Sequence, residues 1–371
     1  MPTWRTAKPM ASYRSLRDYD WVLLLVSFAI CSLGVLQIFS ATLDTSFRDA
    51  WWKQIVWIAI GVALMWIVTA IDYHALLGRV PWLYGLSILG LLSTFVIGRR
   101  AYGSQRWIGV GGVRLQVSEF VKLVIILLVA RYVSDLKGER MAPRDLLKLG
   151  GLVAVPMVLV IKQPDLGTAL TYLPILVMGI FLAGLKWQHA VILITSIALI
   201  MPAGYLVLRD YQKERLLSFL DPSRDPKGSG YQVIQSEIAV GAGGIWGQGV
   251  THGTQTQLRF LPVPHTDFIS AAFAEEHGFV GIVVLLGLYF LLLMQVVQNA
   301  QMAPDREGLY VCMGIAALLL FHVLVNIGMV VGRMPVTGIP LPLMSSGGSN
   351  ILSVFIMLGL VNNVRLRRFA S

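Results

Sequence analysis

The chain has 371 residues, 56% of them hydrophobic and only 13% charged, with a mean hydropathy of +0.70 and a formal net charge of +10. Soluble domains carry roughly 25% charged residues, and here the charge is confined to short segments between long apolar runs, which excludes an ordinary soluble enzyme. Nucleic acid is excluded as a partner because most Lys and Arg flank those runs, where they set orientation and meet lipid headgroups.

In lipid every backbone polar group must be satisfied internally, which leaves helices and closed barrels. Continuous apolar runs without period-2 alternation select helices. The expected fold is therefore an all-α polytopic membrane protein, a single integral membrane domain over residues 1–371. With about 20 residues per span, ten spans fall at 21–39, 53–71, 81–98, 118–134, 147–162, 166–184, 188–208, 267–298, 309–332 and 347–364. The first run lacks a small-residue cleavage site and reads as a retained span after a polar tail, 1–20. Cys31 and Cys312 lie inside spans with no pairing or metal spacing and read as small core residues. Only Gln163-Pro164-Asp165 separates the fifth and sixth spans, giving a tight hairpin or one broken helix. The eighth span is long enough that it must tilt or project into solvent.

Arg5, Lys8, Arg14 and Arg17 before the first span, and Arg365, Arg367 and Arg368 after the last, place both termini in the cytoplasm. Residues 365–371 then form a short cytoplasmic tail, and 209–266 a large extracytoplasmic loop. The outer loop between the third and fourth spans carries Arg99, Arg100, Arg106 and Arg114 against the positive-inside rule, which suggests that it is kept for an anionic ligand. Within 209–266, two short helices are expected at 212–220 and 231–240. The glycines at 241, 243, 244, 247 and 249 that follow fit no nucleotide fingerprint, so their phosphate-loop signal is weak.

Ionisable residues inside a membrane are costly and are functional candidates by default. Glu119 and Lys122 share a helical face at i and i+3, as a structural ion pair or as site residues. Asp165 and Asp267 each precede an apolar run, the position of a helix N-cap. Glu275 and Glu276 lie deeper, bridging helices or forming a proton or cation path. His265 and His277 lack zinc spacing, and no nucleophile elbow is present.

Gln116-Val117-Ser118-Glu119-Phe120-Val121-Lys122 resembles a segment of the SEDS (shape, elongation, division, sporulation) family. So do Gln163–Thr168, Tyr231-Gln232-Val233-Ile234-Gln235-Ser236, Gly253-Thr254-Gln255-Thr256-Gln257, His265-Thr266-Asp267-Phe268 and Pro340–Ser349, in the family's order. Asn326-Ile327-Gly328-Met329 before Pro335-Val336-Thr337-Gly338 is similar to the elongation branch. Val117 replaces the usual Pro, and Ser346 stands where Tyr is common.

The resemblance implies a peptidoglycan glycosyltransferase in the bacterial cytoplasmic membrane. It would polymerise lipid II at the outer face during elongation and release undecaprenyl pyrophosphate. Arg106 and Lys122, cations near the outer face with few obvious protein partners, are the expected pyrophosphate contacts, with Asp165, Arg215, Gln235, Ser345 and Ser346 as further substrate-binding candidates and Glu119 and Lys122 as further catalytic ones. The resemblance carries the role of catalytic general base onto Asp267. It also implies a divalent cation, Mg2+ or Mn2+, with Glu119 and Asp267 as candidate ligands. The implied partners are lipid II, membrane lipid and a class B penicillin-binding protein, a single-span transpeptidase expected against the eighth and ninth spans around Gly314 and Ala316-Ala317. The rival readings are a lipid-linked precursor flippase or transporter, which needs a polar path across the whole membrane, and a non-catalytic cell-wall scaffold.

Overall fold

The computed structural model describes residues 18–368 except 102–103, 111–112, 137–140, 186–190, 192–194, 196–209 and 226–227. The seventh expected span, 188–208, falls almost wholly outside the described residues. The helices are α1 (Trp21–Thr42), α2 (Ala50–Ala70), α3 (Tyr73–Gly78), α4 (Val80–Ile97), α5 (Val117–Ser134), α6 (Pro143–Lys162), α7 (Leu166–Leu170), α8 (Tyr172–Leu182), α9 (Asp210–Leu220), α10 (Ser229–Ala242), α11 (Thr254–Gln257), α12 (Ile269–Gln301), α13 (Arg306–Val330) and α14 (Gly348–Leu366). Six of them, α1, α2, α4, α12, α13 and α14, are long and apolar enough to cross a membrane. The architecture is all-α and multi-pass.

Starts and stops follow local chemistry. The Asp20 side chain caps α1 by accepting from Leu23 N at 3.0 Å, and Asp305 caps α13 from Gly308 N at 2.7 Å; each satisfies a backbone donor that the first turn leaves open. α7 and α8 meet at Thr171 and together occupy the sixth span.

Lipid tails are as apolar as leucine, so helices associate through close packing and hydrogen bonds. α13 and α14 supply that contact at the centre and are mostly buried, whereas α2, α4 and α12 are mostly exposed. Gly34 lies on the backbone of Met344, Gly61 on the Phe355 ring and Gly359 on the backbone of Met65, so no side chain holds these helices apart. Gly314, Ala316 and Ala317 are likewise buried, with Gly314 against Ile126 of α5 and Ile175 of α8. They serve the interior of the bundle and are not the outward docking face expected of them.

Two departures from the sequence reading shape one end of the molecule. The arginine-rich loop is a three-stranded antiparallel sheet, β1 (Arg99–Ala101), β2 (Ser104–Val110) and β3 (Val113–Gln116), with Trp107 opposite Gln116 and Ile108 opposite Leu115. The eighth span is also interrupted. Gly278 adopts φ 66° and ψ −166°, a conformation open mainly to glycine, and breaks α12 after its first nine residues.

The glycine-rich segment fills that break. Phe279 N donates to Gly244 O and Val280 N to Ile245 O, while Gln248 N and Gly249 N donate to the carbonyls of Glu275 and Glu276. A Cβ on Gly243, Gly247 or Gly278 would strike backbone, so these glycines serve backbone contact and not a phosphate. Glu275 accepts from Gln255 N, Thr256 N and Thr256 Oγ1, and so anchors α11. Glu276 accepts from Ser40 and Gln37 of α1. Both acids are satisfied cross-links, which accounts for their burial without a proton path.

Candidate functional site

The loop-rich end gathers the residues that the sequence scattered. β2 presents Arg106, whose Nη1 lies 2.9 Å from Oδ1 of Asp165. Asp165 fills the turn between α6 and α7, where it caps α7 through Thr168 N (3.2 Å) and accepts from Gln116 Nε2 (2.7 Å). The cap reading therefore holds for Asp165, which is only 3% exposed and fully bonded. Arg215 projects from α9, a helix foreseen within the long loop, and donates to Val336 O at 3.2 Å.

Asp267 lies in the turn just before α12. The cap reading fails here: Phe268 takes the N-cap place, with no side-chain bond to the first turn. Arg106 and Arg215 both act electrostatically on the Asp267 carboxylate, as does Asp165 with the opposite sign. Among the described residues Asp267 makes no ion pair within 4.0 Å. Part of the residue stays open to solvent, although its carboxyl is enclosed on most sides. Burial pushes that carboxyl above its ordinary value and the two arginines pull it back.

The Thr337-Gly338 backbone passes between α7 and Asp267. Gly167 touches Thr337 O, and a Cβ on Gly338 would come within 3.3 Å of Asp267 Oδ2. Gly338 has φ 72°, so glycine both permits the turn and leaves room beside the carboxylate. Two buried polar atoms in this region have no hydrogen-bond partner among the described residues, Arg106 Nε and Thr337 Oγ1. Buried polar groups of this kind ordinarily find a bond.

Glu119 and Lys122 pair with each other. Lys122 Nζ lies 2.8 Å from Glu119, with His322 Nε2 at 3.4 Å, and both charged side chains are buried. Ser353 also donates to Glu119, at 3.3 Å. Lys122 was expected to have few protein partners; instead it neutralises Glu119 within the α5–α13–α14 packing. Arg106 also has a partner in Asp165, yet keeps one donor unbonded.

Ser345 is fully buried, accepting from Leu341 N and donating to Thr266 O. Ser346 lines a separate cleft of about 250 Å³ with Lys53, Gln54, Trp57 and His265. Gln235 is half-buried on α10, and no bond brings it to Asp267. Sequence reasoning missed Asn326, whose amide reaches both Asp267 O and Ile339 O at 2.9 Å. Its signal was an asparagine inside an apolar span.

These elements define a multi-pass helical membrane protein with an acid–arginine site at one end of its bundle. The sequence model of the FtsW/RodA/SpoVE family, described as cell cycle protein, matches residues 20–369, and the chain belongs to that family. It is similar to peptidoglycan glycosyltransferase RodA of Treponema pallidum, 34% identical over 96% of this chain and 99% of the relative. It is 38% identical to peptidoglycan glycosyltransferase MrdB of Escherichia coli, over 94% of each. Among solved structures it resembles a chain of a peptidoglycan synthase complex that coordinates polymerization and crosslinking (TM-score 0.81, 36% identity, 95% of this chain and 98% of that one). It also resembles the rod shape determining protein RodA of Thermus thermophilus (TM-score 0.71, 30% identity, 95% and 98%). These relatives agree with the elongation-branch motifs.

Proposed function

We infer that this chain is a peptidoglycan glycosyltransferase of the elongation kind, which polymerises lipid II at the outer face of the bacterial cytoplasmic membrane. One observation carries the mechanistic reading: Arg106 and Arg215 both act electrostatically on the Asp267 carboxylate, which makes no ion pair within 4.0 Å among the described residues. As general base it takes the proton of the acceptor sugar hydroxyl while that oxygen attacks the donor's anomeric carbon. The bond from that carbon to the diphosphate oxygen breaks, and undecaprenyl pyrophosphate leaves. Arg106 and Arg215 face the leaving diphosphate, where Arg106 Nε provides an unused donor.

A divalent cation does not fit Glu119, whose charge Lys122 already neutralises. Asp165 is likewise taken up by Arg106, Gln116 and Thr168, which leaves Asp267 as the candidate ligand, its carboxylate free of an ion pair among the described residues. Mg2+ or Mn2+ held there would neutralise diphosphate charge.

The partner is a penicillin-binding protein. Phe279, Val283 and Phe290 leave an apolar strip along α12 exposed, and this strip accepts a single transmembrane helix as readily as lipid.

The test is purified protein with lipid II and Mg2+, read as polymer on a gel, with and without chelator. Polymer that disappears on chelation is the expected result. Folded, partner-bound protein that makes none with any divalent cation would favour a flippase or scaffold.

A further inference from the structure

Asp267 does not belong to a helix, so regular backbone hydrogen bonding does not set its position. Three consecutive carbonyls of its segment are instead each held from outside. His265 O accepts from Ser346 N at 2.9 Å, Thr266 O from Ser345 Oγ at 2.7 Å, and Asp267 O from Asn326 Nδ2 at 2.9 Å.

The donors are themselves fixed. Asn326 is fully buried on α13; its Nδ2 also donates to Ile339 O, and its Oδ1 accepts from Ser270 Oγ at 2.7 Å. One turn away on the same helix, His322 Nδ1 lies 3.1 Å from Pro340 O. From α2, Gln54 donates to Ser345 O and accepts from Gly347 N. The 265–267 segment is thus cross-braced to α13, α2 and the strand of chain leading into α14.

We propose that Asn326 and Ser345 are positioning residues for the glycosyl transfer: they hold the 265–267 backbone so that the Asp267 carboxylate faces the acceptor hydroxyl. The proposal rests on the role assigned above to Asp267. Its physical basis is that a general base works only within hydrogen-bond reach of its proton. A displacement of about 1 Å at a reacting group costs on the order of 10²-fold in rate. Neither residue touches substrate. Ser345 uses its hydroxyl within the protein, so its place in the family motif is explained without a ligand contact.

The experiment compares Asn326→Ala and Ser345→Ala with Thr69→Val in purified full-length protein. Thr69 is equally buried and bonds Gly359 O between α2 and α14, remote from Asp267. Its loss therefore reports the general effect of removing one buried interhelical bond. Initial rates of lipid II polymerisation give kcat and KM, and thermal unfolding gives stability.

Both positioning variants should lose about 10- to 100-fold in kcat, keep KM within about twofold of wild type, and unfold no earlier than Thr69→Val. Thr69→Val should keep its kcat. Ser345→Ala, the smaller change, decides the matter should Asn326→Ala fail to fold. Near-normal kcat in folded Ser345→Ala, or an equal loss in Thr69→Val, overturns the proposal. Wild-type polymerisation that is lost in Asp267→Asn keeps the base assignment standing even then, so the two failures are distinguishable.

Discussion

The two ends of the bundle both concentrate charge, and they treat it differently. At the end formed by 18–20, 71–79, 302–305 and 365–368, the acids with resolved contacts are matched. Asp20 accepts from Leu23 N and Asn299 Nδ2 and pairs with Arg365 at 3.2 Å. His74 bridges Asp72 at 2.9 Å and Asp305 at 2.8 Å, while Arg367 lies 3.1 Å from Asp72. These contacts tie α1, α3, α12, α13 and α14 together. At the other end Asp165 and Glu119 have ion pairs and Glu275 and Glu276 several hydrogen bonds each, whereas Asp267 has the Thr266 hydroxyl and no ion pair among the described residues. Matched charge holds helices in register, whereas a half-buried acid without a pair is unstable unless function retains it.

The largest effect expected from disturbing matched charge is at Lys122. Lys122→Ala leaves Glu119 charged in the packed interior and should destabilise the protein by about 3–5 kcal/mol. Replacing both residues, with Glu119→Gln and Lys122→Met, should recover most of the loss in a thermal unfolding assay. A Lys122→Ala protein of wild-type stability that cannot polymerise would move Lys122 into the substrate site and blur the contrast between the ends.

Arg106 comes next. It is both Asp165's partner and a proposed diphosphate contact, so Arg106→Ala should lower polymerisation by about 10²-fold. Asp165 would keep its bonds to Gln116 and Thr168, so folding should survive. Loss of folding in parallel with activity would make Arg106 structural.

The smallest effect is a pH dependence at the matched end. Burial opposes the charged form of His74, but Asp72 and Asp305 outweigh it and raise the imidazole above its usual value. A raised histidine contributes stability that is complete below the unfolded value, about 6.5, and fades as pH climbs through the raised folded value. Burial likewise opposes the charged forms of Asp72 and Asp305, yet their hydrogen bonds and neighbouring cations hold both below the usual range. Their contribution is present above about 3.8 and fades as pH falls through the lowered values. Thermal stability attributable to this cluster should thus be greatest between roughly pH 4 and 6.5. His74→Gln should flatten that profile by a small amount, since the residues are well exposed. An unchanged profile would show that the cluster does not act as a latch.

The sequence made some of this contrast visible. Hydropathy and length placed the six helices long and apolar enough to cross a membrane, and i,i+3 spacing paired Glu119 with Lys122, because those signals are local. The Asp165 cap was readable for the same reason. Other features depend on distant partners. Gly278 breaks α12 because residues 243–249 supply backbone to fill the gap, and a hydropathy window sees only one apolar run. The arginine-rich loop alternates over stretches too short to distinguish a sheet from a coil. Asn326 is a polar side chain inside an apolar span, but its partners at 267, 270 and 339 emerge only when α12, α13 and the turn before α14 are packed together.

The most direct measurement takes stability and polymerisation together on one acid from each end, Asp20→Asn and Asp267→Asn. Asp20→Asn should unfold at lower temperature and polymerise normally per folded molecule, because it weakens a matched structural charge. Asp267→Asn should unfold no earlier than wild type and bind its partner, yet lose polymerisation by about 10²-fold or more. Near-normal polymer from Asp267→Asn would contradict the account.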